Sequence, residues 1–408
     1  MSEAATHLTI DAVARNSYGR LVAYLAARSG DVAGAEDALS EAFAAALRRW
    51  PEDGVPEKPE AWLVHTARNR LIDKVRHAQV HRKAEPLLQL TAEAEQVAAT
   101  QPIFPDERLK LLFVCAHPAI DPAARTPLML QAVLGLDAAR IASAFLVSPA
   151  AMEQRLVRAK TKIREARIPF RVPEPPEWAE RVSFVLDAIY FAYTTGWELL
   201  LDDGSTHQAL AREAIQIGRT LVQLVPKEPE AHGLLALMLH CEARRPARSA
   251  QAGTFIPLDQ QDTALWSRPL IDEAENHLRK ASAFQRLGRY QLEAAIQSIH
   301  AHRLTSGVTD WSEIALLYEG LVRFSPTIGA QVGRAIALAE AGDVAAGLTA
   351  LDTISESRTV SYQPWWAARA YVLRKLGRKA EAANAFERAA SLTDDPALRV
   401  YLLSQGAL

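Results

Sequence analysis

Cysteine is scarce: Cys115 and Cys241 are the only two in 408 residues. So small a number builds neither a disulfide framework nor a four-ligand zinc site, and the expected compartment is the reducing cytosol. Long apolar runs are missing as well. The strongest candidate, around residues 234–239, is far shorter than the roughly 20 residues that cross a bilayer. The first residues lack the apolar stretch of a secretory leader. No membrane association is expected. Net charge is only −2, so the chain as a whole is not coated for nucleic acid. Alternating strand pattern is also lacking. Helical periodicity runs from end to end and predicts an all-α fold. At 49% hydrophobic content the chain has ample material for cores, and its length suggests two or three domains.

The small net charge hides an asymmetry. Residues 1–171 carry 23 Lys/Arg and 20 Asp/Glu, a net +3, whereas residues 172–408 carry 23 and 28, a net −5. Much of the positive charge falls in residues 136–167, LDAARIASAFLVSPAAMEQRLVRAKTKIREAR. Ala138, Ile141, Ala142 and Phe145 mark a first short helix and Leu146-Val147 a break. Ser148 is a suitable N-cap, with Pro149 at the first helical position. In the second helix Met152, Leu156, Ala159 and Ile163 form a buried stripe. Beside it run Ala151, Arg155, Arg158 and Lys162, with Ser148 and Gln154 in the first turns. This is the pattern of a helix-turn-helix whose second helix enters a major groove. Arg and Lys meet phosphates, and the first turns reach base edges. An ordinary helical pair with a solvated basic face has the same pattern.

Upstream, residues 11–28 read as a helix broken at Ser29-Gly30, and residues 32–50 as a second. The expected apolar face of the second is Ala35, Ala38, Leu39, Ala42, Phe43, Ala46 and Leu47. Asp37 and Glu41 lie four apart on its other side. With no partner His or metal cluster, they suggest an interaction face rather than acid–base catalysis. Residues 51–59, with three prolines and a glycine, read as a structured loop. Residues 61–83 then give an apolar stripe, Leu63, Ala67, Leu71 and Val75, beside a polar and aromatic one, Trp62, Thr66, Asn69, Asp73 and Arg76. Rings and amides among cations suit single-stranded DNA, and they suit a surface helix with Trp62 in the core equally well. Residues 84–105 read as a linker and 106–134 as further helix with a break at Asp121-Pro122. Cys115 and His117 are expected to be packed helix residues, with no metal between them.

In this order, DALSEAFAAALRRWP, AWLVHTARNRLIDKVR, a linker, DERLKLLFVCAHPAI and RLVRAKTKIREARIPFRVP resemble the extracytoplasmic-function (group four) sigma factors of the sigma-70 family. The resemblance covers about the first 171 residues. It implies a region 2 module at residues 1–83, a linker at 84–105 and a region 4 helix-turn-helix at 106–171. It further implies that Asp37 and Glu41 lie on the helix contacting the clamp helices of the RNA polymerase β′ subunit, with the β subunit as a further core partner. Where the family often has Gln before that glutamate, this chain has Ser40. Trp62, His65, Arg68, Asn69, Asp73 and Arg76 fall on the segment that reads and melts −10 promoter DNA. The loop at 51–59 matches the one that captures a flipped base. Ser148, Ala151, Gln154, Arg155, Arg158 and Lys162 fall on the helix that reads the −35 element. Such a factor is not an enzyme and needs no cofactor.

A Pro-rich joint, residues 171–178, leads into residues 172–408. There helix pairs recur. In residues 365–396, Trp366, Ala370, Leu373, Gly377, Ala382, Phe386 and Ala389 sit where a tetratricopeptide repeat places its packing residues. Weaker copies centre on Gly342 and Gly288, and residues 226–239 resemble the start of another. A helical solenoid that binds a protein partner is the expectation. Residues 243–266, dense in Arg, Asp and Gln, read either as a polar network holding a long loop or as the lining of a site. The whole resembles the subgroup of these sigma factors with a long helical C-terminal extension in place of a separate anti-sigma partner. The competing expectation is a stand-alone helix-turn-helix regulator with a tetratricopeptide adaptor. An enzyme is disfavoured, since no nucleophile, phosphate loop or metal cluster stands out.

Overall fold

In the computed structural model, described residues are 3–79, 106–145, 147–178, 180–197, 206–248 and 255–407. All regular structure among them is helical. The expected linker, Leu146 and part of the 243–266 segment lie outside the described residues. By packing, the chain divides into two compact units, residues 1–192 and 193–408.

The first unit opens with α1 (Glu3–Ser29), α2 (Val32–Asp53) and α3 (Pro59–Gln79). Gly30, at φ +67°, makes the left-handed turn between α1 and α2. On α2 the apolar residues Ala35, Ala38, Leu39, Ala42 and Ala46 are buried as the periodicity indicates. Leu47 is 46% exposed instead, at the edge of the apolar arc, while Trp50 on the same face is buried. α2 also runs through Pro51 to Asp53, where the sequence had suggested a loop. Pro51 has no N–H to give the Leu47 carbonyl one turn back, so the helix loses a bond there, and Gly54 at φ +86° ends it by donating to the Trp50 carbonyl. Leu63 and Ala67 of the α3 stripe are buried; the Val75 side chain lies outside the described residues.

The same unit continues with α4 (Arg108–Cys115), α5 (Pro122–Ala132), α6 (Ala138–Ala144) and α7 (Pro149–Glu165). Three N-caps set their starts. Asp121 accepts from the Ala123 N–H, Asp137 from Arg140 and Ser148 from Ala151. α1 packs on α4 and α5, and α2 packs on α7. The approach is closest at Gly19, where a Cβ would lie 1.8 Å from the Val133 carbonyl oxygen, so that only glycine fits. After the short α8 (Pro175–Trp178), α9 (Val182–Trp197) brings aromatic residues back to this unit. The Arg125 guanidinium lies 4.6 Å above the Phe184 ring, and Phe191 packs 6.0 Å from Phe145. The packing therefore divides within α9, at 192/193, rather than at the Pro-rich joint.

The second unit runs through α10 (Thr206–Leu224), α11 (Pro229–Ala243), α12 (Arg268–Ser282), α13 (Arg289–Ser306), α14 (Trp311–Phe324), α15 (Ile328–Glu340), α16 (Val344–Asp352), α17 (Glu356–Thr359), α18 (Gln363–Lys375), α19 (Lys379–Ser391) and α20 (Pro396–Gly406). Successive helices pack on one another along most of the unit. Within the α18–α19 pair, Ala370, Leu373, Ala382, Phe386 and Ala389 are buried as read from the pattern, and Gly377 turns the chain at φ +74°. Trp365, however, is the buried tryptophan. Its indole N–H reaches the Leu351 carbonyl, while Trp366 is half-buried against its edge.

The α11–α13 contact depends on two absent side chains. At Gly233 an added Cβ would meet the backbone nitrogen of Gln291 at 2.7 Å. Gly288 leaves space for the Glu230 carboxylate, which accepts from the Tyr290 and Gln291 N–H groups and so caps α13 from another helix. Gly233→Ala is expected to push α13 off α11 and lower stability by about 1–3 kcal/mol. An earlier urea transition for the variant checks this; an unchanged transition means the backbones shift freely.

Candidate nucleic-acid interface

On α2, Asp37 and Glu41 are both exposed. Glu41 pairs with Arg70 of α3 at 3.6 Å, a contact that tethers the two helices and that pattern reading did not anticipate. Ser40 hydrogen-bonds the Tyr18 hydroxyl, whose pKa is raised mainly by burial. The start of α3 is anchored by Glu60, which accepts from Ser17 and Arg20 of α1.

The expected −10 residues share α3 in graded exposure. Trp62 is half-buried and packs edge-to-face on buried Trp50, ring centroids 5.4 Å apart at 70°. Trp62 is thus part of the core wall with one side open. His65 and Asn69 are exposed neighbours one turn apart, with 3.4 Å between the Asn69 amide and His65 Nδ1. Arg68 is half-buried and Asp73 exposed. Arg76 lies on the same helix, with its side chain outside the described residues.

α6 and α7 form a capped helix pair with the burial pattern that the periodicity indicates. Met152, Leu156, Ala159 and Ile163 are buried. Ser148, Ala151, Gln154, Arg158 and Lys162 are exposed, and Arg155 is half-buried with its guanidinium donating to the Ala123 carbonyl at 3.3 Å. Among the described residues Arg158 reaches only its own helix, at the Gln154 carbonyl.

Not all the positive charge of α7 faces outward. Lys160 pairs with Glu36 of α2, with side chains 12% and 13% exposed. Arg164 lies 3.8 Å from Asp31 at the start of α2. The flank of α7 opposite the exposed stripe is therefore joined to the helix that carries Asp37 and Glu41. Burial raises the Glu36 carboxyl above its ordinary value even though Lys160 pulls it down. Cys115 is buried, with its thiol pushed up by burial, and His117 is half-buried. No group of three metal-ligating side chains occurs among the described residues.

In the second unit the Arg-rich segment forms a network around the end of α9. Arg245 and Arg248 lie 4.8 and 4.0 Å from the Trp197 ring and donate to the Gly196 and Trp197 carbonyls. Arg244 reaches Gln297 of α13 and Arg303 the Gln261 carbonyl. Each of these arginines is thus tied to a carbonyl, a side-chain amide or a ring, so they hold structure together.

Replacing Lys160 by Met is expected to leave a buried carboxylate without its partner and to lower stability near neutral pH by about 2–4 kcal/mol. Glu36 has a raised folded-state pKa, so its protonated form favours folding. The penalty should accordingly be largest above that pKa and shrink as pH falls towards the ordinary glutamate value. Urea unfolding of both proteins across this range checks the sign. A pH-independent difference would mean that Glu36 rehydrates on losing Lys160.

Two segments of the chain match known families. Residues 14–80 match sigma-70 region 2, and residues 181–282 match a family of unknown function, DUF6596. The chain is 38% identical over 376 residues to the uncharacterized protein R00370 of Rhizobium meliloti (strain 1021), covering 91% of this chain and 89% of that protein. No solved structure matches. No helix among the described residues is long and apolar enough to cross a membrane. With a sigma-70 region 2 formed by α1–α3, and alike along nearly its whole length to R00370, the chain belongs to that protein's family and is a sigma-70 family factor of transcription initiation.

Proposed function

We propose that the protein is an extracytoplasmic-function sigma factor with a built-in C-terminal extension, directing core RNA polymerase to specific promoters. The observation that carries this reading is the sigma-70 region 2 at residues 14–80 followed by a capped helix pair whose exposed stripe is cationic. Asp37 and Glu41 offer an acidic face to the polymerase β′ clamp helices. Trp62, His65, Arg68, Asn69, Asp73 and Arg76 serve the −10 strand, where stacking and charge contacts offset the few kcal/mol of unpairing a base. Ser148, Ala151, Gln154, Arg155, Arg158 and Lys162 serve the −35 duplex, where each good base contact contributes about 1–3 kcal/mol of discrimination. The extension, with its tetratricopeptide-like pairs, supplies a protein-binding surface and is required for activity.

Geometry adds a step. The −10 and −35 elements lie about 25 base pairs apart, roughly 85 Å along B-DNA at about 3.4 Å per pair. α2 and α7 are joined by ion pairs. One factor reads both elements only after these modules separate. The 26 residues from 80 to 105 reach about 90 Å when fully extended, enough to allow it. Core polymerase supplies the second surface that holds them apart.

Two outcomes test the reading. The double variant Arg155→Ala/Arg158→Ala should weaken −35 binding and reduce the salt slope by about 2, near 0.9 for each phosphate no longer neutralised. An unchanged slope in filter binding with holoenzyme removes the assignment of α7. Joining E36C to K160C with a short reducible crosslinker should abolish promoter-dependent run-off transcription by core enzyme, and reductant should restore it. Full activity while crosslinked would mean that the modules need not part; DNA binding without core enzyme would favour the stand-alone regulator.

Loss of residues 172–408 should sharply lower promoter-specific transcription. Part of that loss comes from the first unit itself, since a cut after Arg171 removes Phe184 and Phe191 from their partners Arg125 and Phe145. A second chain ending after Trp197 keeps both of these pairings. If it transcribes as well as the full chain, the extension is not required for activity.

A further inference from the structure

In the second unit α10 and α12 both flank α11 and leave a cleft of about 640 Å³ between them, within the size range of small-molecule sites. His232 of α11 and His277 of α12 line it with stacked rings, 5.1 Å apart at 27°. Their Nδ1 atoms are 2.8 Å apart, and His232 Nε2 is 3.1 Å from the Pro226 carbonyl. A carbonyl only accepts, so His232 carries its proton on Nε2 and has a bare lone pair on Nδ1. His277 must then donate from Nδ1, and its own Nε2 is a bare lone pair with no protein partner among the described residues.

The charges around this pair are not balanced. Arg219 and Glu273 satisfy each other through two 2.8 Å hydrogen bonds. Lys280 has no ion-pair partner among the described residues, and it lines the cleft one turn beyond His277. Glu228, which faces His232, is already paired with Arg286. Burial, His232, Lys280 and Arg219 together hold His277 down at about 4, opposed only by Glu273. One cation and one unpartnered ring nitrogen thus line the same cleft, whose carboxylate, Glu273, is already held by Arg219. Val222, Pro226 and the 38%-exposed Phe284 supply apolar wall beside them.

We propose that this cleft binds a small organic anion, with a carboxylate, sulfonate or phosphate head on Lys280 and His277 and an apolar body against Val222, Pro226 and Phe284. When the anion arrives, His277 takes up one proton at Nε2 and becomes a donor; no covalent bond changes. Binding here is independent of whether the chain serves as a sigma factor.

The test uses the full chain and benzenesulfonate, whose charge is constant across the pH range, with benzyl alcohol and benzylamine as neutral and cationic counterparts. Calorimetry should show binding of the sulfonate alone, several-fold tighter at about pH 6 than at about pH 7.5, because the site takes up a proton. Nitrogen-15 spectra of the histidine rings should show Nε2 of His277 becoming protonated as the sulfonate is added. Lys280→Ala, on an exposed side chain, should cost about tenfold in affinity, the order of one charge-assisted hydrogen bond. Equal binding of benzyl alcohol would reduce the cleft to an apolar hollow. No sulfonate binding at about 20 mM, a millimolar-range ceiling, would overturn the proposal, as would an unaltered affinity in Lys280→Ala or binding only of an acidic peptide.

Discussion

A glutamate and a lysine 124 residues apart in sequence close the first unit. Glu36 and Lys160 both lie almost out of water where α2 meets α7. Two charges removed from water lose hydration that their mutual attraction only roughly repays. Such a pair adds little net stability over an apolar contact of the same shape. It is strict about geometry, though, because one charge left behind alone is costly while two released together rehydrate. This is the energetics of a latch. The apolar and close-fitting contact at Gly19 and Val133 sets where α1 meets the second half of the unit. The ion pair then decides which flank of α7 turns inward, and so which flank remains outside with Arg158 and Lys162.

How much of this was legible in the sequence depends on whether the signal was local. The N-cap at Ser148 and the stripe Met152, Leu156, Ala159 and Ile163 could be read, because capping chemistry and helical period act within a few residues. The same period could not separate Lys160 from Lys162. Both are lysines on a basic helix, and only the partner Glu36, in another module, makes one a buried latch and leaves the other in solvent. For the same reason Leu47 was expected inside. The apolar arc on α2 is wide enough to include it, but the packing covers only the arc's centre and Trp50 and leaves its edge in water. Trp365 and Trp366 are adjacent and chemically identical, so only the carbonyl of Leu351 tells which one is buried.

Composition misled most at the first unit's far edge. A Pro-rich stretch usually marks a joint between domains. Here Pro173 is buried and accepts from the Trp178 indole, and the chain beyond it brings Phe184 and Phe191 to the helices of residues 122–145. Proline redirected the chain without releasing it. The cleft at His232 and His277 was equally invisible. Its residues come from three helices and the turns that follow two of them, and no spacing within any one helix resembles a site.

The acidic excess of residues 172–408 invites a simple electrostatic idea, that the extension masks a cationic helix. Masking needs acids gathered on one surface, and the structure distributes them otherwise. Glu242 is held by Arg245, Glu273 by Arg219, Glu319 by Arg334, Glu340 by Lys375, Asp352 by Arg369 and Glu381 by Arg378. Glu230 is held inside as a helix cap. A carboxylate already neutralised by a neighbouring arginine projects little field beyond a Debye length of about 8 Å at physiological salt. Net charge is thus a poor guide to what this unit attracts. Its influence on transcription, in either direction, must come from shape, from a bound partner or from occupancy of a cleft such as the one at His277 and Lys280.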